Sequence, residues 1–525
     1  MIIMNRKLKK LLSIVLSINS VICGMPLAFA ADVSQPYPAG TANSHLFRIP
    51  AMITLINGNV VTSADIRYGD GTDSPANIDT CVRYSEDNGL TWSEPNVVNH
   101  FYDFEDACSE KVIKKSASFI DSALLQSSKG SVFVICDACP AFIGSSAAKK
   151  NGNGLIDGKF VLCDKTTEDE VESGKLNKEA YPYYIDTFDD GFAPVKAFAD
   201  GSNYNNYFVD EEFNLYIKNG EIFEKVTVNT FDEKGNKTDK LVQANVFYAA
   251  SPVKIYPTFY TWLRRSEDNG KTWSKPYILN SQIQSRGFTG VCPGKGFSYI
   301  TNDGERLIFA VYDNNEGFEK ASTIYSDDNG YTWQRGEKIA VRNFAVKSSE
   351  SQMVRLNNDV IRLYSRNSGK YIGFCDSTDG GKTWGNYYED ASLKYCSDCM
   401  VSFINYSKPV DGKKAVISAY PTTSHRKLGV IKVGFVDDKN NVTWAYEYKV
   451  TDSREDLTYI YSCLSELPDG RIALLYESRA AEITYKIFSI DELVNEQTAV
   501  KPFNLKMQKF FTKFLKVITD FICIF

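Results

Sequence analysis

Histidine is nearly absent, with 3 residues in 525. That shortage excludes a multi-histidine metal centre, because imidazole is the commonest protein ligand of zinc, copper and non-haem iron. A basic excess is also missing: 59 Lys and Arg face 65 Asp and Glu, the formal charge is -6 and the pI is near 5.5. With no long basic block, a nucleic-acid surface is disfavoured, although a local basic pocket for an anion is not. Cysteine is thin, 12 residues over the whole chain with Cys23 and Cys523 in the terminal segments, so this is no small disulfide scaffold. Cys136-Asp137-Ala138-Cys139 and Cys396-Ser397-Asp398-Cys399 have the spacing of zinc knuckles, but they lie far apart and the first continues a strand-like run, which favours buried or locally paired thiols.

Apolar residues make up 43% and charged residues 24%, the balance of a globular chain too long for one ordinary domain. The 31 Tyr and 32 Phe suit β-sheet and aromatic-lined pockets. Arg6, Lys7, Lys9 and Lys10 precede an apolar run at residues 11–21, and Ala28-Phe29-Ala30 follows with small-x-small spacing. This is the pattern of a secretory signal peptide at residues 1–30; the run is shorter than the roughly 20 residues a membrane span needs. Removing it takes the formal charge from -6 to -10. Secretion or cell-surface association is therefore expected.

Ser-x-Asp-x-Gly-x-Thr-Trp occurs four times, ending at Trp92, Trp273, Trp333 and Trp384, with a degenerate fifth copy ending at Thr443-Trp444. Asp-Asn-Gly or Asp-Gly-Gly inside each copy supplies left-handed turn conformations, so the motif reads as a hairpin turn whose Asp and Ser bond backbone groups and whose Trp covers a joint between sheets. An enzyme seldom needs four copies of one acid, which makes these carboxylates scaffold. Successive Trp spacings of 181, 60, 51 and 60 residues fit four-stranded propeller blades with an insertion in the long first gap. The expected architecture is all-β: propeller at 31–142 and 254–493, a small inserted β-rich domain at 143–253, and an amphipathic tail at 494–525. Leu505 onward is apolar with interspersed lysines, compatible with membrane-surface contact or with packing on the propeller.

Arg48 stands between apolar residues in Phe47-Arg48-Ile49-Pro50, and Arg366 and Arg426 recur beside strand-like segments. An arginine in such company is expensive to bury without an anionic partner, and three converging on a radial fold would clamp a carboxylate or phosphate. Phe47-Arg48-Ile49-Pro50, the four Asp boxes and Tyr461-Ser462-Cys463-Leu464 together resemble the bacterial exo-sialidase (neuraminidase) family, especially its secreted clostridial and pneumococcal type, over roughly residues 37 to 490.

The resemblance implies a six-bladed propeller carrying an inserted β-domain. It implies that Arg48, Arg366 and Arg426 grip the sialic acid carboxylate and that Glu477 supports Arg48. Asp73, 25 residues after Arg48, would be the acid/base. Tyr461 would be the nucleophile, and Glu350, 16 residues before Arg366, its activator. Arg67 would reach the O4 hydroxyl and Asp121 the N-acyl nitrogen. The reaction implied is retaining hydrolysis of terminal sialic acids on glycoproteins and glycolipids, with no required cofactor or catalytic metal and with room for a structural calcium. Two rivals stand beside it. An intramolecular trans-sialidase would release 2,7-anhydro-sialic acid under a hydrophobic cover; no Trp follows Trp444, but Phe259, Tyr260 or Trp262 could supply one. A non-catalytic glycan-binding propeller would carry a decayed constellation.

Overall fold

The computed structural model describes residues 33–500 except 105–114, 150–151, 165–174, 284–286, 302, 341–346, 396, 452–456 and 480–481. The expected signal segment at 1–30 and residues 501–525 of the expected tail lie outside the described residues. Strands rich in β-branched and aromatic residues follow one another between tight turns, and among the described residues the only α-helix is Ile490–Leu493.

Four sheets are simple antiparallel meanders in a propeller-like arrangement. One orders Ser351–Arg355, Ile361–Ser365, Tyr371–Ser377 and Tyr388–Lys394 side by side, and the next does the same with Ser402–Asn405, Ala415–Pro421, Gly429–Val436 and Val442–Lys449. A third is built on Gly304–Asp313 and Lys320–Ser326. The fourth joins the two ends of the described chain: Val33–Tyr37 pairs with Glu482–Phe488, outside Ile472–Arg479 and Ser462–Glu466. A nine-stranded sheet holds Leu46–Thr54, Val60–Arg67 and Ile78–Ser85 on one side and Ser118–Gln126, Val132–Cys139 and Tyr260–Ser266 on the other, with Ile78 opposite Ser118 where they meet. Strands from Leu155–Ile156 to Lys254–Ile255 fall between Val132–Cys139 and Tyr260–Ser266 in the chain, yet those two strands pair directly. Most of these intervening strands form a separate eight-stranded sheet.

The Asp boxes lie at the turns that follow the third strand of a meander. In each, the Ser hydroxyl accepts from the Gly N–H, at 2.7 Å for Ser85 and Gly89, and the Asp accepts from the Thr N–H and hydroxyl, at 2.9 and 2.6 Å for Asp87 and Thr91. Asp268, Asp328 and Asp379 repeat the pattern. Gly89 is required twice over: its φ is +86°, on the left-handed side, and a Cβ would lie 2.3 Å from the Tyr485 ring. Trp92 donates to Ser34 across the chain closure, and Trp333 packs on Phe133 and Phe309 from two sheets. The degenerate copy is shifted from its expected place. Its turn is closed by Asp437 accepting from the Asn441 N–H at 2.8 Å and from the Asn441 amide, two residues earlier than alignment on Trp444 implies.

Cys136 and Cys139 sit three apart on one strand, so they face opposite ways, into different core clusters. That geometry prevents them from gripping one ion, and all eight described cysteines are buried.

Candidate active site

Arg48 lies on Leu46–Thr54, Asp121 on Ser118–Gln126 and Tyr461 just before Ser462–Glu466, strands far apart in the chain that meet at one cavity. Local irregularity then aims the side chains. Pairing of Leu46–Thr54 with Val60–Arg67 slips between Arg48 and Ala51, and Ile49 takes a φ of 56°, a strained value for a β-branched residue. Pairing of Ser118–Gln126 slips between Ile120 and Ala123, with Asp121 at φ 62°. Asp398 and Arg426 are also left-handed, at 39° and 53°. Such conformations persist only where surrounding contacts enforce them.

These residues border a cavity of about 290 Å³. Arg48, Arg366 and Arg426 line it, with Asp73, Asp121, Glu350 and Tyr461. The Tyr461 hydroxyl donates to Glu350 Oε1 at 2.5 Å and accepts from Arg366 Nη1 at 3.0 Å. Arg366 Nη1 also donates to Glu350 Oε2 at 2.8 Å. Arg48 and Arg426 place their guanidinium carbons 5.8 and 5.9 Å from the Tyr461 ring centroid. Burial and the Glu350 carboxylate push the phenol well above its ordinary pKa, while Arg366 opposes them. The site therefore holds Tyr461 as a neutral phenol against a carboxylate.

Arg48 and Arg366 each have a carboxylate behind them, while Arg426 donates to the Asp398 main-chain oxygen at 2.8 Å. Glu477, outside the cavity lining, approaches Arg48 Nε at 3.5 Å with Oε2 and accepts from the Ile49 N–H at 2.8 Å with Oε1, so one acid supports both the cation and the strained backbone beside it. Asp73 meets Arg48 at 3.5 Å and Arg67 at 2.8 Å. Burial raises its pKa, but Arg67 and Arg48 outweigh burial and hold it below the ordinary carboxylate value. Asp121 is driven the other way. Burial, reinforced by Asp65, Glu350 and Asp73, pushes it well up, which favours a neutral acid.

Arg67 stands apart from its expected place. It is 1% exposed and outside the cavity lining. Its donors go to Asp65 Oδ2 at 2.7 Å, to Asp73, and to the carbonyls of Gly71 and Thr72. It thus braces the loop that carries Asp73 rather than presenting an edge to the cavity. The same loop is pinned from outside: a Cβ on Gly144 would lie 2.3 Å from the Ser74 carbonyl oxygen, and the Ser74 hydroxyl shares a 2.7 Å bond with Ser118.

Of the three aromatics named as cover, only Phe259 lines the cavity; Tyr260 and Trp262 point into the core shared with the intervening sheet. Phe259 packs edge-on against Phe288 at 4.8 Å, and Phe288 against Tyr312 at 5.1 Å, making an aromatic wall. Phe288, Tyr312 and Glu319 were not singled out from the sequence. Nothing local distinguishes them, since their contacts are made across distant strands.

Comparison with known proteins agrees with this arrangement. Residues 236–474 match the BNR repeat-like domain. The chain is 34% identical to the anhydrosialidase of the leech Macrobdella decora, over 86% of this chain and 59% of that protein, and 31% identical to sialidase B of Streptococcus pneumoniae, over 83% and 62%. It thus spans about three fifths of the length of these curated relatives. An intramolecular trans-sialidase from Ruminococcus gnavus, solved with oseltamivir carboxylate, superposes with a TM-score of 0.78 at 31% identity, over 89% of this chain and 99% of that one. Fold and site define a propeller-like all-β array with a tyrosine–carboxylate–arginine centre. The chain belongs to the bacterial sialidase family.

Replacing Glu477 with Ala should strand both the Arg48 charge and the Ile49 N–H, costing about 2–4 kcal/mol of stability. Glu477→Gln keeps an acceptor for Ile49 and should cost clearly less. Urea unfolding of the two variants checks this, and equal losses would contradict a double role for Glu477.

Proposed function

We propose that the chain is an exo-α-sialidase acting outside the cell on sialylated glycoproteins and glycolipids, with retention of configuration. The observation that carries the reading is the 2.5 Å bond from Tyr461 to Glu350 beside three convergent arginines. A sialic acid bears its carboxylate on the anomeric carbon, so a carboxylate nucleophile would approach an anion, whereas a phenol losing its proton as it attacks meets less repulsion. Sialidases with a Tyr nucleophile depart from the usual two-carboxylate scheme for this reason.

Arg48, Arg366 and Arg426 would hold the substrate carboxylate. Glu350 would take the Tyr461 proton as the phenol oxygen bonds to the anomeric carbon, and Asp73 would protonate the departing glycosidic oxygen. Asp73, now ionised, would then take a proton from water as that water displaces the Tyr461 oxygen, and Glu350 would return the phenol proton. Arg67 and, after it, Arg48 hold Asp73 ionised, and a carboxylate seated on Arg48 draws on the second of these cations, which favours the protonated acid when substrate is bound. Asp121, kept neutral by burial, would face the N-acyl group. Arg67 would act through Asp73 and its loop. No step needs a cofactor.

The nine-stranded sheet, split where Ile78 meets Ser118, is read as two blades, which with the four meanders makes six. The strands from Leu155–Ile156 to Lys254–Ile255 are read as the inserted domain. A second reading is intramolecular trans-sialidation. The aromatic wall of Phe259, Phe288 and Tyr312 favours it, as do the names of the leech and Ruminococcus gnavus relatives; the lack of any Trp after Trp444 does not.

Mass analysis of products from sialyllactose separates the readings. Free sialic acid is expected, slowed by orders of magnitude in Tyr461→Phe; a product lighter by one water would select the rival, and no turnover would leave a binding propeller. Gly144→Ala should shift Ser74 and with it Asp73. Its kcat/KM should fall on the order of tenfold or more for sialyllactose, whose leaving alcohol needs protonation, and much less for an aryl sialoside, whose phenolate departs unaided. Equal losses on both substrates would contradict an acid role for Asp73.

A further inference from the structure

The segment Cys396-Ser397-Asp398-Cys399, first noticed for its cysteine spacing, reaches the site through its acid instead. Asp398 Oδ1 accepts from Arg366 Nε at 2.8 Å, and its main-chain oxygen accepts from Arg426 Nη2 at 2.8 Å. Its other carboxylate oxygen lies 3.5 Å from Lys347 Nζ, which in turn meets Glu319 at 3.2 Å. One residue thus touches two of the three cavity arginines, through a carboxylate on one and a carbonyl on the other. We propose that Asp398 is the positioning residue of the carboxylate clamp, fixing the planes of Arg366 and Arg426 so that their remaining donors converge on an anionic ligand. The inference rests on the sialidase reading above.

The physical basis is the rigid guanidinium fork. Arg366 bonds Asp398 through Nε and Glu350 and Tyr461 through Nη1, and among the described residues its Nη2 has no hydrogen-bond partner. Two edges held by two acids aim the third edge. Without Asp398, only Glu350 would pull on Arg366, and a planar cation pivots toward a lone carboxylate to meet it with two nitrogens. That turn would take Nη2 away from the ligand. Lys347 opposes the accumulation of negative charge where Asp398 and Glu319 approach each other. The left-handed backbone at Asp398, φ 39°, is what lets the carbonyl and the side chain reach different arginines.

The test compares Asp398→Ala and Asp398→Asn with the unmodified protein, reading inhibition by the 2,3-didehydro analogue of sialic acid and by its methyl ester. Asp398 is 45% exposed at its side chain, so the expected effect is on the order of tenfold. The acid should weaken by about that factor in Asp398→Ala and by less in Asp398→Asn, while the ester, which carries no charge for the clamp, should be unchanged. KM for sialyllactose should rise more than kcat falls. Unchanged acid binding, or parallel loss of acid and ester, would overturn the inference and leave the sialidase reading standing. If the unmodified protein bound neither acid nor ester, the sialidase reading itself would fall and this inference with it.

Discussion

Three cations cannot be gathered around one small cavity unless anions stand behind them. This constraint shapes the site more than any single catalytic group. Glu477 backs Arg48, Glu350 and Asp398 back Arg366, and the Asp398 carbonyl steadies Arg426. Some of these contacts span distant parts of the chain, from Arg48 to Glu477 at 3.5 Å or from Glu350 to Tyr461 at 2.5 Å. The fold brings them together with left-handed backbone at Ile49, Asp121, Asp398 and Arg426.

The same crowding gives each acid a different state. Asp73 lies between two arginines and stays ionised in the empty cavity; Asp121 sits among other carboxylates with no cation close enough to outweigh burial, and is driven toward neutrality. Tyr461 is held as a phenol by burial and by Glu350, yet Arg366 touches its oxygen and would stabilise the phenolate as it forms. Opposite shifts within one cavity are what acid and base chemistry requires of groups that share a solvent.

How much of this the sequence disclosed depended on whether a feature was local. The Asp boxes were legible because a hairpin turn is specified by its own eight residues. The degenerate copy keeps its acid, Asp437, but closes its turn on Asn441, and Trp444 lies beyond it on Val442–Lys449. Arg48, Arg366 and Arg426 stand out by their apolar or strand-like neighbours, Tyr461 by its resemblance to the family motif, and Asp73 and Glu350 only by their spacing from those arginines. Asp65, Asp398, Glu319, Phe288 and Tyr312 carried no local signal, because each is defined by contacts from other sheets. For Arg67 the spacing carries no sign of what the fold adds, the bonds of its Nη donors to Asp65 and the Asp73 loop.

The central claim is that Tyr461, poised on Glu350, forms a bond to the anomeric carbon. It is tested most directly with a fluorinated sialosyl fluoride, whose good leaving group allows the first displacement while the neighbouring fluorine slows the second. Peptide mass mapping after brief incubation should show one sialosyl adduct on the peptide containing Tyr461, absent in Tyr461→Phe. An adduct on Glu350 or Asp73, or turnover of the reagent with no covalent species at Tyr461, would contradict the account.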